Sequence, residues 1–142
     1  MNNFGGAAAY QRGVQSYAQV GVESGVVSAS PHRLISLLFD GAQSRIRTAK
    51  LQMQQGNVAG KAEAITKAID IVSAGLQSAL DLEQGGELAA NLESIYDYIV
   101  GRLLHANLHN DEAALDEAAR LLNDIGSAWK SIAEQAPTEA GA

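Results

Sequence analysis

His105 and His109 are four residues apart, the spacing that sets two imidazoles on one face of a helix and begins a metal site where a third ligand stands close. A lone pair of this kind more often marks a solvated helix end than a metal site, and it reads so in this chain. A di-iron carboxylate centre in a helical bundle needs inward Glu residues and Glu-x-x-His pairs, and this sequence has no Glu-x-x-His. His32 follows Pro31 and reads as local structure at a helix start. Gly85-Gly86 lies between helical patterns rather than after a strand, which makes it a turn and not a phosphate cradle. The Asp and Glu side chains are scattered over outer helix faces, where solvated charge is the ordinary explanation. With no Cys, disulfides and thiolate metal sites are excluded. The sequence therefore predicts no enzyme, no metal site and no cofactor.

Bulk properties narrow the classes further. A chain of 142 residues fits one domain with a substantial core. Apolar residues form 46% of it and aromatics 5%, with Ala prominent, which predicts helices around an aliphatic core. Ten Lys and Arg against 16 Asp and Glu leave a net charge of -6, so there is no basic footprint for nucleic acid. No apolar run approaches the roughly 18 residues of a membrane span, and the N-terminus lacks the pattern of a signal peptide. A soluble, cytosolic protein with no membrane insertion is expected.

Four elements would hold these residues in place. Residues 1–29 are rich in Gly, Ser, Ala and Val, and Tyr10, Val14 and Tyr17 keep an i, i+4, i+7 spacing, which predicts an N-terminal arm with one short helix. Ser30-Pro31 is a capping pair that opens a helix ending near Gln55, with an inward stripe of Ile35, Leu38, Ala42, Ile46, Ala49 and Met53. Gly56 is suited to a left-handed turn and Asn57 to capping the next helix, expected over 58–83 with Ile65, Ile69, Val72, Leu76 and Leu80 inside. A third helix is expected from Glu87 to about Asn110, with Leu88, Leu92, Ile95, Ile99, Leu103 and Ala106 inward. Asp111 can cap a fourth, striped by Leu115, Ala118, Leu122, Ile125, Trp129 and Ile132. Short turns force neighbouring helices to run antiparallel. The fold predicted is all-α: an antiparallel up-down four-helix bundle over 30–136, preceded by the arm and followed by a disordered tail at 137–142.

Large apolar residues remain outside these stripes. At ~100° per residue, Leu37 and Leu51 point away from the first helix's stripe and Leu34 sits on its flank. Val100, Leu104 and Leu108 form a second line at i, i+4, i+8 on the third, and Ile71 lies off the stripe of the second. Such lines are covered by the arm, by a second copy, or by a partner's amphipathic helix laid into a groove. The first and last of these are compatible if the arm is a displaceable lid. Leu37, Leu51, Ile71, Val100, Leu104 and Leu108 are the expected contacts with a client helix.

The motifs themselves resemble a known family. Ser30-Pro31-His32-Arg33-Leu34-Ile35 with Leu38-Phe39-Asp40-Gly41-Ala42 looks like the start of the first long helix of FliS proteins. The likeness continues through Gly60-Lys61, Lys67-Ala68-Ile69-Asp70-Ile71, Gly85-Gly86-Glu87, Asn91-Leu92, Tyr96-Asp97-Tyr98, Arg102-Leu103, Ala106-Asn107 and Ala128-Trp129, in order over roughly 10–132. The resemblance implies a flagellin-specific export chaperone. Such a protein holds the disordered C-terminal segment of flagellin in the cytosol, prevents premature polymerisation, and delivers the client to the cytoplasmic domain of the flagellar type III export gate. It also implies that the apolar patch around Tyr10, which is followed by Gln11, docks at that gate together with the arm. The alternative from the residues alone is a self-associating structural bundle whose outer lines form a homodimer.

Overall fold

The computed structural model describes residues 30–135, and in them the capping grammar is realised residue by residue. Helix α1 is Pro31–Gln54, with the Ser30 hydroxyl accepting the Arg33 N–H and Pro at the first helical position. A cap of this kind stabilises a helix by about 1 kcal/mol. Gly56, at φ +73°, turns the chain in the left-handed region that glycine enters without cost. Asn57 then caps α2 by accepting the Gly60 N–H.

Helix α2 is Val58–Asp70, and the same rod continues as a π-helical turn, Ile71–Leu76, and a short 3₁₀ turn, Gln77–Ala79. It therefore ends at Ala79 and not at 83. The widened turn sits where α2 meets α1: a Cβ on Gly75 would lie 3.1 Å from the Leu38 side chain. The Ser78 hydroxyl donates to the Ser73 carbonyl, using an acceptor in the wide turn.

Helix α3 is Gly86–His109, with Glu87 in its first turn and Asn110 left-handed at its end. Helix α4 is Glu112–Gln135. The Asp111 side chain accepts the Ala114 N–H at its start, satisfying a donor that would otherwise be left over.

Cross-helix pairs give the directions. Against α4, residues 32, 43, 50 and 54 of α1 meet 129, 119, 116 and 112. Against α2, residues 38 and 52 of α1 meet 75 and 60. From α2 to α3, 61 and 77 meet 107 and 97. From α3 to α4, 98 and 105 meet 117 and 111. In every pair one number rises as the other falls, so each helix runs antiparallel to its neighbours, and α1 also closes on α4.

The core is aliphatic as composition implied. Leu38, Ile65, Val72, Ile99, Leu103, Leu115 and Leu122 are fully enclosed, each contributing on the order of 1.5–3 kcal/mol from burial. Phe39 and Tyr96, outside the expected stripes, are also core. Phe39 packs on Gly126, where a Cβ would come within 3.1 Å of the ring. Leu88 and Ile132, expected inside, are exposed. Helix α2 stops at Ala79 after Gln77 has met Asp97, so the first turns of α3 overhang it. Beyond Trp129, which meets the first turn of α1, α4 overhangs in the same way.

Candidate partner-binding surface

The α2–α3 seam is tied at both ends and apolar between. At one end the Gln77 amide donates to Asp97 at 2.8 Å. At the other the buried Lys61 ammonium donates to the Asn107 carbonyl at 2.8 Å and the Asn110 side chain at 2.6 Å, fixing the start of α2 onto the end of α3. Both ties fix the α2-facing side of α3. Val100, Leu104 and Leu108 fall on that side by helical phase. Val100 is partly buried against the core. Leu104 is 55% exposed and Leu108 78% exposed.

Of the other residues expected to meet a client, Leu51 is 50% exposed on the last turns of α1, and Leu37 is half-buried. Ile71 is 3% exposed and belongs to the core, which corrects its placement off the stripe. Ile71 follows the buried Ala64 and Ala68 by seven and three residues, so the buried face of this helix is broader than its line of large aliphatic residues, and Val72, Gly75 and Leu76 of the π-turn continue it. A stripe drawn through the large aliphatic residues alone leaves out the small Ala64 and Ala68 that mark this side. Tyr10, Val14 and Tyr17, the arm at 1–29 and the tail at 137–142 lie outside the described residues. Sequence reasoning missed Val58, exposed at the first position of α2. It lies at the pole that also carries Leu51 and Leu108, and its signal was an apolar residue directly after a cap.

The titratable residues are engaged in fastening. His32 stacks on Trp129 with ring centroids 4.4 Å apart, and the Trp129 indole N–H donates to the His32 carbonyl at 3.1 Å. This clasp joins the start of α1 to α4. On the α3–α4 seam, Tyr98 donates its hydroxyl to Glu117 at 2.7 Å. Arg102 pairs with Glu117 at 2.8 Å and His105 with Asp111 at 3.1 Å. The Tyr98 hydroxyl, ahead of Arg102, holds the Glu117 carboxyl below its usual range. The Ala114 amide, ahead of His105, does the same for Asp111. His109 lies against His105. Among the described residues no three His, Cys, Asp or Glu side chains come together as a metal site, and no helix is long and apolar enough to cross a membrane.

The bundle spends polar side chains on cross-helix ties and leaves Leu51, Leu104 and Leu108 exposed: it is an all-α bundle with apolar surface on its outside. Its lineage is explicit: residues 13–136 match the family model for flagellar protein FliS, and the chain belongs to the FliS family. It is 53% identical over 124 residues to the flagellar secretion chaperone FliS of Salmonella typhimurium, covering 87% of this chain and 92% of that one. The Escherichia coli FliS is 48% identical over 119 residues, covering 84% and 88%. The Pseudomonas aeruginosa flagellar secretion chaperone FliSB is 43% identical over 121 residues, covering 85% and 95%. This is a family of chaperones and not of enzymes.

Proposed function

We propose that this chain is a cytosolic flagellin chaperone that binds the disordered C-terminal segment of flagellin as an amphipathic helix, prevents its premature polymerisation and presents it to the flagellar type III export gate. The observation that carries the reading is the outward line Val100, Leu104 and Leu108 along the α2–α3 seam of a chain in the FliS family. An apolar line between two polar ties suits a client helix laid into a groove. Burying about 800 Å² per partner at about 25 cal/mol per Å² offsets the cost of ordering the segment. Release then needs competition rather than ATP: the gate takes the client while the arm, through Tyr10, Val14 and Tyr17, docks at the gate or refills the groove.

Leu104→Asp tests the reading. It is expected to weaken binding of a synthetic flagellin C-terminal segment by about tenfold or more. Because Leu104 is solvent-facing, helicity and melting should stay close to wild type. A collapse of the fold would place Leu104 in the core instead, and undiminished binding would move the client off this seam.

A further inference from the structure

The opposite seam has a different chemistry. Between α1 and α4 lies an open groove of about 520 Å³ lined by Asp40, Gln43, Arg47, Ala119, Arg120 and Asn123. Its carboxylate is already neutralised, since Asp40 accepts from Lys130 at 2.6 Å. The Gln43 amide donates to the Ala119 carbonyl at 2.7 Å, pinning the two helices together. Arg47 has no ion pair among the described residues. Arg120 is within electrostatic reach of Glu117, a carboxylate that Arg102 and Tyr98 already occupy. Helix α1 carries Arg33, Arg45, Arg47 and Lys50 against Asp40 alone, in a chain whose net charge is -6. Two guanidiniums line one groove, and Arg47 has no ion pair among the described residues, which makes the groove a receptor for carboxylates.

Apolar residues of α1 flank the groove along the helix. Leu51 follows Arg47 by one helical turn on the outer strip of α1, and Leu37 precedes Asp40 by three residues on the same strip. At the pole beyond Leu51, the exposed Val58 and Leu108 lead to the α2–α3 seam.

We infer that the α1–α4 groove receives acidic side chains of the client segment, with Arg47 and Arg120 as the residues that recognise them. The inference rests on the chaperone reading above and adds a charge requirement to it: the client must carry a carboxylate beyond its apolar anchors. Arg47 and Arg120 discriminate by charge, where the leucines discriminate by shape.

The test titrates the full chain calorimetrically with the synthetic flagellin C-terminal segment and with the same peptide whose Asp and Glu are replaced by Asn and Gln. Wild type should bind the amide peptide about tenfold or more weakly. The Arg47→Gln/Arg120→Gln variant should bind both alike, while Lys67→Gln, which removes an exposed cation elsewhere, should keep the difference. Should the double variant lose helicity, Arg47→Gln alone must still narrow the gap, because Arg47 holds no ion pair. Equal binding of both peptides by wild type, or a gap that survives loss of the arginines, overturns the groove while leaving the chaperone reading in place. A wild-type dimer that the double variant abolishes would make a second copy the occupant and overturn the inference as well. Failure of wild type to bind either peptide overturns the chaperone reading itself, and the groove's client with it.

Discussion

Tyr96 shows how a single side chain ties this bundle to its medium. It lies 3% exposed on α3, and burial pushes its phenol from the ordinary 10.0 up to about 12. The folded state therefore favours the neutral form, so this stability is fully present below pH 10 and lost as pH rises toward 12. The loss amounts to about 3 kcal/mol across that window. Tyr96→Phe removes the ionisable group: urea midpoints should match wild type near pH 7 and decline less steeply above pH 10. An equally steep decline in the variant would assign the alkaline sensitivity to other groups. Tyr96 was readable in the sequence only as part of a motif. Its neighbours Ile95 and Ile99 claimed the inward stripe, and a hydroxyl-bearing ring gave no apolar signal to compete with them.

At the scale of the element, helix starts and turns were legible because they depend on one or two residues. Ser30, Asn57 and Asp111 cap where their side chains can accept an early amide, and Gly56 turns where only a positive φ fits. The second helix was not legible throughout. Ile71 faces inward on the side marked only by the small Ala64 and Ala68, and Gly75, which admits Leu38, announces that close approach only once the partner helix is in view. Leu88 and Ile132 keep correct periodicity but stay exposed among the described residues, and helix overhang is a tertiary fact.

The start of α4 depends on Asp111. It caps α4 and pairs with His105, and the Ala114 amide first, then His105, hold its carboxyl below the usual range. A depressed folded value contributes stability that is present above the ordinary carboxylate range, near pH 4, and is lost as pH falls through it. Asp111→Ala is expected to lower the melting temperature by a few degrees at neutral pH and to reduce the further loss on acidification. A variant that melts like wild type at both pH values would remove Asp111 from the account of how α4 begins.

Across the whole molecule, the bundle separates two chemistries onto opposite seams. The α2–α3 seam offers leucines between polar ties, and the α1–α4 seam offers two arginines around a groove. The α3–α4 seam is closed by Tyr98, Arg102, Glu117, His105 and Asp111, and the ends of α1 and α4 by His32 on Trp129. The four helices and their order followed from stripes and caps in the sequence. Which apolar residues stay outside followed only partly: Leu51, Leu104 and Leu108 are outward, whereas Ile71 is core. The basic groove escaped periodicity altogether, because charged residues on outer faces look alike until two helices bring Arg47 and Arg120 to one place.

On the chaperone reading proposed above, this bundle binds the C-terminal segment of flagellin. The most direct measurement is calorimetric titration of the full chain with that synthetic segment at several temperatures. Binding at one segment per chain with a clearly negative heat-capacity change is the expected result, since it reports apolar burial by a folding client. Absence of binding at high peptide concentration would contradict the claim.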